Sequence, residues 1–473
     1  MSRSYHCEDI ARAVSAAIIE INYVADPAVL HAFERVGSSD LITFQGLGVI
    51  GELRQNAELA ASGFAPLCQD TGIVVAFVAL GQEARIEGGL LAEAIQEGVR
   101  RGYRDGYLRK SVVGDPVERI NTKDNTPAVI HYDIVAGDGL EIEIASKGIG
   151  SENMSAARML TPAQGAGGIV SFAEEVVRKG GSNPCPPIVL GIGVGGTLDK
   201  AAVLAKKALF RPLGQPSDKP HLAELEQTIL ERVNALGIGP MGLGGAGTAL
   251  AVHIESYATH IAGLPVVINL NCHSSRHKHI DMKQYDESAL FRLPQAAGYS
   301  GGGDAPSEMG RRIRIAELRA EYDSISTGDR LLLSGVLYTA RDAAHGRLNR
   351  AIEAGEPLPI DLFEAVIYYT GPSEALPGRA VGAAGPTTSY RMDMLTPKLI
   401  EHGLAATIGK GDRSPDLMET FRAHRVRYLA ATGGAGALLS TAIRSAEVIA
   451  YDDLGAEAIR KLEVVDFPVT VIV

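Results

Sequence analysis

The sequence predicts a mixed α/β protein in two domains, and three observations carry that expectation. Apolar residues recur at helical spacing in several stretches of both halves. Between them stand short apolar or alternating runs bounded by Gly and Pro, which read as strands. One flexible passage, Tyr299-Ser300-Gly301-Gly302-Gly303-Asp304-Ala305-Pro306, divides the chain. A length of 473 residues alone suggests about three domains. The single good linker instead places a first domain at 1–290, the linker at 291–310 and a second domain at 311–473.

In chain order, Asp9 to Val36 carries a helical stripe that Pro27 divides into two helices. Ile73-Val74-Val75-Ala76-Phe77-Val78 reads as a buried strand, and Leu91, Ala94, Ile95, Gly98, Val99 and Gly102 as a helical stripe. Two alternating runs, around Ile130-Tyr132-Ile134 and Leu140-Ile142-Ile144, are joined by Ala136-Gly137-Asp138-Gly139, a hairpin signal. The loops on either side, 121–127 and 147–153, read as surface turns. Pro187 to Gly196 forms a strand leading to a helix over Leu198–Leu209, with another helical pattern through Leu222, Leu225, Ile229 and Val233. Val266-Val267-Ile268-Asn269-Leu270 is a strand ending at Cys272. In the second half, Leu331–Leu337 and Ala365–Tyr369 read as strands, and Ala405-Ala406-Thr407-Ile408 leads to Gly409-Lys410-Gly411.

Composition excludes several function classes. A net charge of −11 and the absence of Trp argue against nucleic acid and anionic membranes as partners. An anionic substrate would then need a local Arg/Lys cluster. No secretory h-region opens the chain and no apolar run reaches the ~18 residues of a membrane span, so the expected compartment is the cytoplasm. There the four cysteines are thiols or ligands before they are bridges.

The most chemistry-dense stretch is Pro66-Leu67-Cys68-Gln69-Asp70-Thr71-Gly72, at the lip of the first buried strand. Taken alone, an ordinary turn with an inert thiol accounts for it equally well. Cys185 and Cys272 share its context, each beside an apolar run and a Pro- or Gly-rich turn. Zinc sites more often show close C-x₂-C pairs. Three isolated thiolates suit an iron–sulfur cluster with one iron left without a protein ligand, open to act as a Lewis acid. Cys7 sits near the terminus and reads as a bystander.

The glycines Gly191, Gly193 and Gly196 match the G-x-G-x-x-G of dinucleotide sites. A second strand ending in Asp or Glu about 20 residues on is missing, and a Pro-rich loop, Arg211 to Pro216, stands there instead.

Several motifs in register resemble the iron–sulfur class I fumarase/tartrate dehydratase family over nearly the whole chain, its α part followed by its β part. The first half carries the Cys68 stretch, Asp124-Asn125-Thr126-Pro127, Gly150-Ser151-Glu152-Asn153-Met154-Ser155, Pro184-Cys185-Pro186-Pro187, and His260-Ile261-Ala262 leading to Cys272-His273. The second carries Arg341-Asp342-Ala343-Ala344-His345, Gly385-Pro386-Thr387-Thr388-Ser389 with Arg391-Met392-Asp393, and Ile408-Gly409-Lys410-Gly411.

The resemblance implies a cluster-binding α/β domain and a swivelling β/α domain, with the active site in the cleft between them. It implies a [4Fe–4S] cluster on Cys68, Cys185 and Cys272. Thr387 would be the base and Asp70 the acid. Gln69, Arg109, Gly150, Arg341, Arg391 and Lys410 would grip substrate oxygens, with Lys410 and Arg391 candidates to activate Thr387. His260 would reach a neighbouring chain's site, which implies a homodimer. Departures at Lys123, Ala246-Gly247 and Ala340 touch none of these groups and bear on substrate identity.

The expected function is reversible hydration of a small dicarboxylate, with fumarate/malate first, then tartrate or mesaconate. The rivals are an NAD(P)-binding oxidoreductase, indifferent to Cys68, and a non-catalytic iron–sulfur protein, which has no need of Thr387, Asp70 or the Arg/Lys set.

Overall fold

The computed structural model describes residues 3–294 and 310–473. The stretch Tyr299–Pro306 lies outside the described residues, as does most of the linker expected at 291–310. The expected break at Pro27 is present. Helices Cys7–Tyr23 and Pro27–Gly37 meet at Asp26, whose carboxylate caps the second helix through the Ala28 N–H. By length and hydropathy alone this stretch could cross a membrane, but over half of its most apolar window is packed inside the protein.

The first helix packs on helix Leu91–Asp105. Gly98 permits that approach, since a Cβ there would sit 2.6 Å from Val14. Both helices cover a four-stranded sheet with the order His277–Asp281, Leu140–Lys147, Ile73–Gly81, Val129–Val135. The expected hairpin is not formed. Strand Ile73–Gly81 lies between its two arms, antiparallel to Leu140–Lys147 and parallel to Val129–Val135. Its near-continuous apolar run suits a central strand, and the alternating arms suit its flanks.

A second sheet has the order Ala156–Leu160, Leu264–Asn271, Ile188–Gly195, Ala249–Tyr257. Helices Gly165–Gly180 and Pro220–Asn234 cover one face. Helix Leu198–Ala208 lies between the two sheets, touching Val267 on one side and the Val75–Phe77 cluster on the other. The glycine fingerprint is accounted for here. A Cβ on Gly191 or Gly193 would meet the carbonyls of Ala205 and Ala201 at 2.2 and 1.9 Å, so these glycines admit the helix to the sheet.

In the second half, Arg330–Thr339, Val366–Tyr368, Ala406–Gly409 and Arg427–Ala430 pair in parallel in that order. Strand Ile459–Val471 is antiparallel to both ends of the series and closes it into a five-stranded ring. Alternation divides the ring's residues. Leu333, Tyr368 and Ile408 face a core that continues into helix Phe44–Ala61 of the first half, whereas Ile367 and Tyr369 lie under helices Asp342–Ala354 and Pro415–Ala423. Helix Phe44–Ala61 has no counterpart in the sequence reading, because its buried face carries the polar Glu52 and Asn56 while the apolar Phe44 and Leu47 lie exposed, which blurs the stripe.

Candidate active site

Cys68 and Asp70 lie on the loop entering strand Ile73–Gly81. The loop turns at Gly72 (φ +76°), where a Cβ would lie 2.6 Å from the Lys147 backbone. Tyr103, fully buried, donates its hydroxyl to the Thr71 and Gly72 carbonyls (2.5 and 3.1 Å). Cys185 lies two prolines before strand Ile188–Gly195 and Cys272 immediately follows strand Leu264–Asn271. Those strands are antiparallel with Val189 opposite Asn271, so both thiols emerge at the same end of the second sheet.

The three thiols line one cavity. Burial pushes Cys68 up to about 11 and raises Cys185. Burial would raise Cys272 too, but the Arg276 guanidinium, the Ser274 bonds and Lys147 outweigh it and hold the thiol below its ordinary value. Lys410 donates to Cys185 Sγ at 2.5 Å, and the buried thiols keep its ammonium protonated above the usual lysine range despite desolvation. Among the described residues no three His, Cys, Asp or Glu side chains converge on a point that would hold a single metal ion. Three thiols around a cavity with cationic neighbours fit a multi-atom thiolate-bound group, since the neighbours favour the deprotonated ligands such a group requires.

Among the described residues, Asp70 is the acid that lines the cavity. Its carboxylate accepts from Arg109 Nη2 (3.1 Å), the Ile149 N–H (3.0 Å) and the Gly72 N–H (3.2 Å). Burial works against ionisation, but Arg109, Arg276, Lys410 and Arg341 bring the pKa down to about 2. In the free site Asp70 is therefore a carboxylate, held ionised by its cationic neighbours. Arg109 is bonded on every side: Nε to Ser111 Oγ, Nη1 to the Gly371 carbonyl and Nη2 to Asp70. It orients Asp70, and its nitrogens have protein partners in place.

The second half supplies the opposite wall. Thr387 follows the ring strand ends, its N–H bonded to the Tyr369 carbonyl at 2.6 Å. Its hydroxyl makes no hydrogen bond to Lys410 or Arg391 in this arrangement; Lys410 is drawn to Cys185 instead. Arg341 pairs with Glu457 (3.2 Å) and Arg391 with Asp342 (3.2 Å). The Nε of each arginine is buried without a hydrogen-bond partner among the described residues. Desolvation and then the charge of Arg341 lower the pKa of Arg391, so the pair is set to receive an anion. Gln69 crosses between the halves, donating to the Pro386 carbonyl (3.1 Å) beside Thr387. Gly150 lies in the short helix Ile149–Glu152, and a Cβ there would stand 3.5 Å from Lys410 Nζ.

Every candidate named from the sequence lines this cavity except His260. His260 is exposed on the loop after strand Ala249–Tyr257, with Nδ1 accepting from the Ala262 N–H. Neither Lys123 nor Ala246-Gly247 lines the cavity. The 121–127 loop is more than a surface turn: Asn125 is fully buried and bonds the Ser111 and Val112 N–H groups and the Gly72 carbonyl. Arg276 was absent from the sequence reading. It donates to the Asp70 carbonyl (2.7 Å) and to Asn22 Oδ1 (2.8 Å). Its only sequence signal was its place four residues after Cys272 in a polar stretch.

The family model Fumarate hydratase (Fumerase) matches residues 11–281 and Fumarase C-terminus matches 286–473. The chain belongs to the fumarate hydratase family. Relatives within the family include "Fumarate hydratase class I, anaerobic" of Escherichia coli, 31% identical over 94% of this chain and 83% of that protein. "Fumarate hydratase 2" of Leishmania major is 30% identical over 89% of this chain and 77% of its own length. "Putative L(+)-tartrate dehydratase subunit alpha" of Methanocaldococcus jannaschii is 43% identical over 47% of this chain and 80% of its own length. Membership of the fumarase family makes the protein a hydro-lyase.

Proposed function

We propose that the protein reversibly hydrates a C4 dicarboxylate, with fumarate and malate as the substrate pair. One observation carries this reading. A single cavity joins three thiols, an ionised Asp70 and two arginines whose Nε groups lack partners among the described residues. Its walls come from both family regions, which fits a cleft between two domains that closes on substrate. Cys68, Cys185 and Cys272 would hold a [4Fe–4S] cluster, which would supply Lewis acidity there.

The chain's own groups do the rest. Arg341 and Arg391 take one carboxylate, and planar guanidinium pairs match it better than ammonium groups would. In hydration Asp70, already ionised, accepts the proton of the attacking water; in dehydration it returns that proton as the acid. Thr387 exchanges the proton at the carbon beside the second carboxylate. Its hydroxyl must be activated by neighbours, and Lys410 and Arg391 are the candidates. Gln69, Gly150 and Lys410 orient substrate oxygens, and Arg109 holds Asp70. His260, exposed in its own chain, completes the site of a second copy in a homodimer.

The likeness of the first half to a tartrate dehydratase α subunit favours tartrate as the second substrate to try. Anaerobic reconstitution with iron and sulfide, followed by hydration and dehydration assays on fumarate, malate, tartrate and mesaconate, tests the proposal. Cluster-dependent turnover of fumarate is the expected result. A chain that takes up no cluster, or turns over none of the panel, overturns it.

A further inference from the structure

Helix Phe44–Ala61 carries two polar side chains, Glu52 and Asn56, four residues apart on one face and only 3% and 2% exposed. Buried polar groups need partners, and these two find theirs in one segment of the second half. The Asn56 amide donates to the Gly434 carbonyl (3.1 Å) and its oxygen accepts from the Leu438 N–H (3.0 Å). The same amide donates to the carbonyl of Leu67, which directly precedes Cys68 (3.0 Å). Glu52 accepts from the Thr432 hydroxyl and pairs through its other oxygen with Arg330. The segment from Thr432 to Leu438 is thus pinned at its start, middle and end by one helix face.

Between the pins, that segment crosses the thiols as bare backbone. A Cβ on Gly433 would stand 2.6 Å from Cys185 Sγ, one on Gly434 2.4 Å from His273 Nε2, and one on Gly436 3.1 Å from Cys68 Cα. Gly436 also donates its N–H to the Leu67 carbonyl (3.0 Å). At these three glycines no side chain fits, so there the backbone itself faces the thiols and His273.

We propose that Glu52 and Asn56 are positioning residues that latch the Thr432–Leu438 strap over Cys68 and Cys185, closing that side of the cavity to solvent and small oxidants. The consequence for a cofactor rests on the proposed function; the effect on thiol access does not.

The test is alkylation of the cluster-free full chain with iodoacetamide, read at each cysteine by mass spectrometry. Asn56→Leu keeps the branched shape and removes three hydrogen bonds, and Thr432→Val removes one pin. Local opening then becomes more frequent, and Cys68 and Cys185 should react at least about tenfold faster in Asn56→Leu and several-fold faster in Thr432→Val. Cys7, remote against Gly89, should keep its rate, as should all four thiols in the outward-facing control Glu58→Gln. Unchanged rates at Cys68 and Cys185, or a parallel rise at Cys7, overturn the latch. If Asn56→Leu lacks a cooperative melt, Thr432→Val decides. A second arm measures bleaching of the reconstituted cluster in air, expected to accelerate by a similar factor in both variants. A wild-type chain that takes up no cluster defeats the proposed function and leaves the alkylation result standing.

Discussion

Arg109 and Asp70 form a buried pair, Nη2 to Oδ1 at 3.1 Å, in which the arginine's remaining nitrogens are bonded to Ser111 and the Gly371 carbonyl. The pair ties the thiol loop to the second half, because Gly371 lies just beyond ring strand Val366–Tyr368. It also fixes the charge of the one carboxylate that lines the cavity among the described residues.

Acid stability follows from that charge. A carboxyl whose pKa is lower in the folded than in the unfolded chain stabilises the fold above the unfolded value, and the contribution is lost as pH falls through the folded value. For Asp70 the window runs from the usual 3.8 down to about 2. Arg109→Ala removes the main partner of a buried carboxylate, which costs about 3 kcal/mol. Urea denaturation at pH 7 should show that loss, and the acid-unfolding midpoint should rise.

The cysteines should separate cleanly. Cys68→Ser, Cys185→Ser and Cys272→Ser each abolish the cluster, while Cys7→Ser leaves it intact. Iron and sulfide content after anaerobic reconstitution, with the visible absorbance, reads the difference. If the proposed cluster is present, wild-type activity should decline in air.

Substrate grip is expected to rest on Arg341 and Arg391 more than on Arg109. Arg391→Lys keeps the charge but loses the planar fork, and should raise KM for the dicarboxylate by about tenfold or more with a smaller change in kcat. Arg109→Lys should act mainly on kcat, through a displaced Asp70. Steady-state kinetics on both variants distinguishes the two roles.

Thr387→Ala should lower kcat by about 10²-fold or more with cluster content unchanged, as removal of a proton-transfer group does. Thr387→Ser should restore much of the loss, since it returns the hydroxyl. Equal kinetics for Ala and wild type would remove Thr387 from the chemistry.

The parts of the site legible in the sequence were those whose residue type and immediate context together imply chemistry. Cys68, Cys185 and Cys272 each stand at a strand end, and the Thr387–Arg391 and Gly409–Gly411 passages are dense in turn residues. What escaped depends on distant partners. Arg276 looks like any surface arginine until Asp70 and Asn22 close on it. Helix Phe44–Ala61 escaped because Glu52 and Asn56 interrupt its apolar pattern, and those interruptions are its contacts with the second half. The arms around Gly137 suggested a hairpin because local alternation is the same whether or not a third strand intervenes.

That intervening strand has a kinetic consequence. A hairpin closes in microseconds because its ends are near in sequence, but the arms Val129–Val135 and Leu140–Lys147 have their ladder partner more than fifty residues away in Ile73–Gly81. A peptide spanning only 129–147 should therefore show no stable hairpin by NMR. Within the whole chain the loop holding Cys68 and Asp70 takes its final shape only after this non-local registration. Newly made protein should pass through a period in which its thiols are present but not yet gathered, and cluster uptake during refolding should lag behind the recovery of helix.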